Sequence, residues 1–492
     1  MANLRRSLVI NFFSSTGATF TQFIVSVLMA RLLSPSEIGV YSMTVVFVSI
    51  AHIFRDFGVA TYIQREPDLT PEKMRSAIGV LLLTSWSICL ILFVLSQPIG
   101  RWFKEPAMVP VMHVLALGFL VIPFGSVTQS MLIREFAAGK QAIVTTISTF
   151  TYAGSCLTLG LLGYGTMSLA YANLISLIVT ALAYVPLRPA GMPWLPSFRH
   201  WRDVVHFGIG TLVSSCLAEI NASVPDVALG KLGSATHVGL FSRANSTVSI
   251  FSYVAGSTIT YGAVSYMSQA HHRGESLAPI LSRVTPLLIG IGWPAFAVTV
   301  LLGTDIVGAL YSAKWLDCVP AILPLAVAAS ISMLFQYTPT ALTAVGRPYL
   351  GAVSTAVTLL ARIMFAAFLF NGTISSFAWA ICLATAVTAP VLVWQQQHYF
   401  GFSAYKFLQS LVPSIGVTAI MIAVCKGLLL LLPDALPPIV RLGIVAIPLA
   451  LSWYLALRIT RHELVDEVHH LLSGLMARLT RTAKLTDSES VR

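Results

Sequence analysis

Seven ionisable side chains stand inside stretches that are otherwise apolar enough to cross a membrane: Arg55, Asp56, Glu219, Asp226, Arg243, Arg362 and Lys426. An ionisable group at membrane depth costs at least about 2.5–3.5 kcal/mol on insertion scales, so each needs a partner, a watery cavity or a path by which it snorkels to the surface. At about 1.5 Å rise per residue, Arg362 lies about 20 Å along its stretch and is the hardest to explain by snorkelling. Arg243 lies roughly two helical turns from one end of its own. Arg55 and Asp56 are adjacent in the run FRDFG. If these cations face a water-filled space, they suit an anionic substrate such as a diphosphate or a uronic acid. Glu219 and Asp226 would then be candidates for carrying a coupling proton or sodium ion. The alternatives are local: Arg55 paired with Asp56 or snorkelling, and Arg243 and Arg362 in buried structural pairs with Glu219 or Asp226. Lys426 and Arg441 lie near stretch ends and read as snorkelling residues.

Other chemistry is not signalled. No G-x-x-x-x-G-K-[ST] phosphate loop occurs, and no Ser/His/Asp set or metal-ligand cluster stands out. His271–His272 and His469–His470 are adjacent pairs, and neighbours on a helix diverge by about 100°, so neither reads as a metal site. The six cysteines, Cys89, Cys156, Cys216, Cys318, Cys382 and Cys425, form no CxxC pair and read as small apolar fillers. No cofactor, metal or enzymatic centre is expected.

The elements that must position these groups are membrane helices. Of 492 residues 56% are hydrophobic and 10% charged, against about 25% charged in a soluble domain, which excludes a soluble globular chain. A spanning helix needs about 20 mostly apolar residues. That ruler finds fourteen candidates, at residues 8–31, 38–60, 76–98, 109–131, 141–163, 166–187, 204–228, 236–262, 280–303, 318–344, 348–371, 373–395, 408–432 and 438–458. The first and seventh are the most polar, diluted by Ser14, Ser15 and Thr16 and by Ser214, Ser215, Glu219, Asn221 and Asp226. Such helices face protein or a cavity rather than lipid. The basic start, Met1 to Arg6, lacks a cleavage site and reads as the entry to the first span, not a signal peptide.

With fourteen spans both termini share a side, and its loops hold 20 of the 30 Lys and Arg residues. The positive-inside rule places both termini in the cytoplasm. The +11 net charge is therefore a loop bias, spread without an aromatic-basic module, and not a nucleic-acid footprint.

The sequence also repeats. At an offset of 200, Leu32, Ser34, Gly39, Ser42, Ser49 and Ile50 recur at 232, 234, 239, 242, 249 and 250, with Arg31 facing Lys231. At an offset of 210, Pro110, Leu115, Ala116, Thr128 and Leu132 recur at 320, 325, 326, 338 and 342. A six-span unit inserts twice in the same orientation, so the copies are related by an axis along the membrane normal. The expected architecture is all-α: two pseudo-symmetric six-helix lobes, 1–188 and 204–395, joined by a cytoplasmic linker, 189–203. Spans 13 and 14 follow at 396–460. The tail, 461–492, carries Leu464, Val465, Val468, Leu471, Leu472, Leu475, Met476 and Leu479 at helical spacing and reads as an amphipathic helix on the inner leaflet, an anchor or a dock for a cytoplasmic synthase.

The runs ARLLSPSEIGVYS and FRDFGVATYIQRE, set in this architecture, resemble the polysaccharide-transporter branch of the MOP exporter superfamily, especially Wzx-type flippases. The resemblance covers nearly the whole chain. It implies a lipid-linked oligosaccharide on undecaprenyl diphosphate, moved from the cytoplasmic to the periplasmic leaflet of the bacterial inner membrane by alternating access, for exopolysaccharide, capsule or O-antigen synthesis. It also implies a cationic central cavity, for which Arg362, Arg243, Arg55 and Arg31 are the candidates; Arg55 stands where related lipid II flippases also place arginine. Asp56, Glu219 and Asp226 are the ion-coupling or pairing candidates, and polymerase or synthase machinery and membrane lipids are the implied partners. The competing readings are a MATE-type cation exporter, which usually has twelve spans and buried acids, and a membrane polymerase or glycosyltransferase, which generally needs a sizeable outer loop; the longest outer loops here are only about 10–15 residues. A purely scaffolding membrane protein is the remaining reading.

Overall fold

The computed structural model describes residues 2–56, 58–189, 191–193, 195–199, 201–260, 263–401, 403–433, 435–466 and 469. The helices are α1 Ala2–Leu32, α2 Pro35–Asp56, α3 Val59–Arg65, α4 Pro71–Phe103, α5 Met108–Val121, α6 Pro123–Arg134, α7 Ala138–Leu161, α8 Thr166–Tyr184, α9 Trp201–Leu232, α10 Ala235–Thr260, α11 Ala263–His272, α12 Ala278–Leu301, α13 Gly303–Leu310, α14 Ile322–Leu334, α15 Thr338–Ala344, α16 Pro348–Leu369, α17 Ile374–Phe400, α18 Ala404–Leu431 and α19 Pro438–Ile459. No strand occurs among the described residues. Among the described residues, ten helical stretches are long and apolar enough to cross a membrane, eleven if the bent pair α5–α6 counts as one. Each of the fourteen expected spans coincides with helix, but α1, α9 and α10 are not among the ten. α1 and α9 are the two spans whose Ser, Thr and charged residues mark them as polar in the sequence. Most of the expected tail helix lies outside the described residues.

Local sequence explains where the helices break. Ser34 is a reciprocal cap between α1 and α2: its Oγ accepts from the Glu37 amide at 3.3 Å, and Glu37 Oε2 accepts from the Ser34 amide at 2.8 Å. Pro35 at the first helical position adds a preset φ. The repeat uses the same device with a different partner, Ser234 Oγ lying 2.8 Å from His237 Nδ1. At the α5–α6 junction the chain bends by 54°, where Pro123 removes a helical N–H donor.

The chain divides into two compact units. The first comprises Met1–Thr258, Leu310–Pro324 and Gly351–Thr388; the second comprises Ile259–Ala309, Leu325–Leu350 and Ala389–Arg492. In the first, α1 packs along α7, α7 along α8, α4 along α5, and α2 along both α5 and α9. The loop after α8 returns to α4, where the Ser197 amide donates to the Arg75 carbonyl at 3.0 Å and Arg75 Nε donates to the Leu195 carbonyl at 3.1 Å. Loop arginines are widely spent in this way: Arg134 Nη1 donates to the carbonyls of Ile63 (2.7 Å) and Glu66 (2.6 Å) at the end of α3.

In the second unit α18 packs along α12 and α19 along α18. Val417, Met421, Cys425, Val445, Leu449, Ala456 and Leu457 form the buried seam. Trp453 Nε1 donates to the Gly290 carbonyl at 3.1 Å, and buried His462 lies against the same glycine, where a Cβ would come within 2.6 Å of its Nε2. Arg441 is not the snorkelling residue expected. Its Nη1 lies 3.6 Å from Asp305 Oδ1, with the two side chains 13% and 12% exposed, so a carboxylate 136 positions away in sequence satisfies it. Lys426 is exposed.

Candidate functional site

Within the first unit, the end that carries the α1–α2 and α9–α10 turns is sealed by contacts that obey the 200-residue repeat. α2 and α10 cross at Gly39 and Gly239. A Cβ on Gly39 would strike the Ala235 carbonyl oxygen, and one on Gly239 would strike the Pro35 carbonyl oxygen. Each glycine therefore meets the repeat-mate of the residue that its own counterpart meets, a two-fold contact in which only a hydrogen fits. The neighbouring cations are paired likewise. Arg31 Nε donates to the Leu310 carbonyl at 2.8 Å, at the C-terminus of α13, and Lys231 Nζ donates to the Trp102 carbonyl at 2.8 Å, in the last turn of α4. Helix C-termini present unfilled carbonyls and partial negative charge, which suits both cations. Lys231 also lies over the Trp102 ring at 4.7 Å. Lys314 Nζ and the buried Trp315 Nε1 close the seal on the end of α1, donating to the carbonyls of Arg31 and Ala30 at 2.7 Å each.

Beneath the seal lies a cavity of about 540 Å³ formed by α1, α2, α7, α8 and α10. Its polar lining consists of the hydroxyls of Ser26, Ser42, Ser148, Thr149 and Ser176, the phenols of Tyr41 and Tyr152, the carboxamides of Gln22 and Asn173, and the guanidinium of Arg243. Among the described residues no carboxylate lines it. Arg243 is 9% exposed. Its Nη1 donates to Ser26 Oγ at 2.7 Å and to the Ser26 carbonyl at 3.3 Å, and its Cζ lies 5.6 Å from the Tyr311 ring centroid. Ser148 and Ser176 hydroxyls are 3.0 Å apart across α7 and α8. This chemistry offers many neutral donors and acceptors, two aromatic rings and one positive charge.

The expected site residues do not all converge on this cavity. Arg243 lines it. Arg31 belongs to the seal. Arg362 is half-buried on α16 and donates through Nη1 to the Asn221 carbonyl (2.8 Å) and Asn221 Oδ1 (3.3 Å) of α9. Glu219 and Asp226 are half-buried on the same helix, and among the described residues neither forms an ion pair within 4.0 Å. Arg55 is half-buried at the end of α2, its carbonyl accepting from Thr84 Oγ1 at 3.2 Å. The side chain of Asp56 and all of Phe57 in the FRDFG run lie outside the described residues. The neutral lining, Gln22, Tyr41, Tyr152 and Asn173 above all, was not singled out by a search for charges. The signal available was the density of Ser, Thr, Gln and Asn in the spans that form α1, α7 and α8.

Membrane-spanning helices that carry an internal sequence repeat and are sealed at one end over a polar cavity define a multi-pass membrane transporter of the MOP fold. The fold matches the solved structure of the lipid II flippase MurJ in an inward closed conformation, with a TM-score of 0.73 at 12% identity over 92% of this chain and 99% of that one. Residues 28–320 match the polysaccharide biosynthesis protein family, and the chain belongs to it. Among its relatives are the teichuronic acid biosynthesis protein TuaB of Bacillus subtilis, 21% identical over 83% of this chain and 85% of that one, and Agl15 of Haloferax volcanii, described as a probable low-salt glycan biosynthesis flippase, 23% identical over 86% of this chain and 89% of that one.

Proposed function

We propose that the protein is a flippase that moves a lipid-linked oligosaccharide, carried on undecaprenyl diphosphate, from the cytoplasmic to the periplasmic leaflet of the bacterial inner membrane, supplying exopolysaccharide, capsule or O-antigen synthesis. The lobes 1–188 and 204–395 alternate access around the substrate, and spans 13 and 14 stand outside the duplication. Membership of the family and the flippase relatives support the activity. The observation that carries it in this chain is a polar cavity lying directly beneath a seal built from both repeats. The bias of Lys and Arg sets both termini in the cytoplasm, so the sealed end faces the periplasm and the headgroup enters from the cytoplasmic side. Arg243, Arg362 and Arg55 serve the anionic headgroup, Arg31 holds the seal, and Glu219, Asp226 and Asp56 are the candidates for coupling to a proton or sodium ion. The polysaccharide polymerase or synthase takes up the product.

A MATE-type cation exporter is the second reading. A lining with one guanidinium and no carboxylate among the described residues favours hydroxyl-rich, anionic cargo over an organic cation. The leaflet distribution of the lipid-linked oligosaccharide in a deletion strain tests the proposal: build-up on the cytoplasmic face supports flipping, and periplasmic build-up of unpolymerised units would assign the chain to polymerisation instead.

A further inference from the structure

The duplication builds the same helices twice, so each side chain of the cavity wall has a counterpart to set beside it. α7 and α16 begin at Ala138 and Pro348. The turns before them match bond for bond: the Ala137 amide donates to the Leu132 carbonyl and the Arg347 amide to the Leu342 carbonyl, each at 2.9 Å, after a residue in the left-handed region, Phe136 in one and Gly346 in the other. The offset of 210 therefore holds into these helices. SLAYA at 168–172 in α8 recurs as SFAWA at 376–380 in α17, an offset of 208, and α1 and α2 keep their offset of 200 to α9 and α10.

At those offsets the neutral polar lining belongs to one copy alone. Gln22 corresponds to Ala222, Tyr41 to Phe241, Thr149 to Leu359, Asn173 to Ile381 and Ser176 to Ala384. Where Tyr41 and Leu169 line the cavity, Phe241 packs edge-on to Phe377 with ring centroids 5.3 Å apart. Buried polar groups are costly, and the second copy shows that these helices fold and pack without them. The lining therefore answers to a guest and not to the fold. Hydroxyls and carboxamides both donate and accept, as the hydroxyls of a sugar do. Tyr41 and Tyr152, hydrogen-bonded to each other, add two ring faces to a volume of about 540 Å³, that of a site for a small organic ligand.

Charge runs the other way. Glu219, Asp226, Arg243 and Arg362 all lie in the second repeat, and their counterparts in the first are Thr19, Ser26, Met43 and Tyr152. Arg55 and Asp56 are the exceptions, in the last turn of α2. Arg362, at the position of Tyr152, gives both of its hydrogen bonds from Nη1 to Asn221. Its buried Nε has no partner among the described residues. A guanidinium with donors left over suits an oxyanion.

Resting on the flippase reading, we propose that the duplication has divided recognition of the substrate between its copies. The first repeat reads the glycan through uncharged groups, with Tyr41, Tyr152, Gln22 and Asn173 setting which sugar fits. The second repeat, through Arg362 at the position of Tyr152, holds the diphosphate.

The full chain, purified in detergent, is titrated with two lipids: undecaprenyl diphosphate, and the same lipid carrying its sugar chain, extracted from the cells that make the protein. The wild type binds the glycosylated lipid at least about 10-fold more tightly. Asn173→Leu and Tyr152→Phe each weaken the glycosylated lipid about 3- to 10-fold, as the loss of a neutral hydrogen bond does, and leave the bare lipid within about two-fold. Arg362→Gln weakens both lipids alike, about 10- to 100-fold, and keeps the preference between them. If Arg362→Gln fails to fold, Arg362→Lys, which keeps the charge and loses the fork, shows the same pattern with a smaller loss. No preference in the wild type, equal weakening of both lipids by Asn173→Leu and Tyr152→Phe, or an Arg362 variant that leaves the bare lipid's affinity unchanged overturns the division. In liposomes the division and the transport activity part. A protein that flips the glycosylated lipid while its variants weaken the two lipids indiscriminately overturns the division and keeps the activity. Discrimination in a protein that flips neither lipid keeps the division and overturns the activity.

Discussion

Replacing Gly39 with alanine should wedge open the sealed end. The added methyl would overlap the Ala235 carbonyl oxygen and lie 3.0 Å from the Gly239 amide nitrogen. Both are backbone atoms, so no rotamer change relieves the clash. Restoring ordinary contact requires α2 and α10 to separate by about 1–2 Å, and overpacking of that kind costs typically about 1–3 kcal/mol. Because the strain exists only while the helices touch, it falls on the closed arrangement. At about 1.4 kcal/mol per factor of ten, the balance between closed and open shifts roughly 5- to 150-fold towards open. Gly239→Ala acts on the same contact through the Pro35 carbonyl, so the double variant should cost clearly less than the sum of the singles. Spin labels on cysteines introduced at the exposed, repeat-related Ser36 and Thr236, in a background with half-buried Cys216 changed to serine, report the separation. The wild type should give a single short distance, and Gly39→Ala a population shifted to longer distances. An unchanged distance distribution, or full additivity of the two alanines, would refute the two-fold contact.

Three further outcomes are expected. Arg362→Ala should lower transport severely, since it removes a deep cation and leaves the Asn221 oxygens without their donor, at about 1–3 kcal/mol for the unsatisfied groups; full flux in this variant and in Arg243→Ala would dismiss the cation model. Asp305→Ala should lower the thermal stability of the second unit by about 1–3 kcal/mol through the stranded Arg441, and Asp305→Ala with Arg441→Met should recover most of it, as read from thermal unfolding. Stability should also fall below about pH 6.5. Burial lowers the His462 pKa, and its ring is neutral, with Nδ1 accepting from the Leu464 amide at 3.1 Å and Nε2 bonded to Ser414 Oγ at 2.9 Å. The unfolded chain takes up that proton at a higher pH than the folded one, so the contribution is full above pH 6.5, is lost as pH falls towards the folded value, and is flat below it. A His462→Gln variant with the wild-type pH dependence of unfolding would remove His462 as the cause.

Much of this fold is legible in the sequence because lipid imposes long apolar runs with polar breaks. The duplication was legible too, through residues such as Gly39 and Gly239, but an offset says which residues correspond and not that they touch. Arg31 illustrates the limit for the site. Its charge is conspicuous, whereas its acceptor is the Leu310 carbonyl, and backbone carbonyls leave no mark in composition. Arg441 reads as a surface cation until folding brings Asp305 to it. The polar wall of the cavity escaped for the opposite reason: Gln22, Ser26, Tyr41 and Asn173 are each ordinary in a membrane helix, and only the packing of α1, α2, α7 and α8 assembles them.

The claim at the centre of this account is that the chain alone moves a lipid-linked glycan between leaflets. The direct measurement is made in sealed liposomes holding the purified protein and a fluorescent lipid-linked oligosaccharide, probed with a membrane-impermeant glycosidase added outside. The account predicts that protein-containing vesicles expose the inner-leaflet pool, so that digestion runs well past the outer-leaflet half, and that Arg243→Gln slows this second phase. Digestion that halts at the outer-leaflet half with and without protein would contradict it.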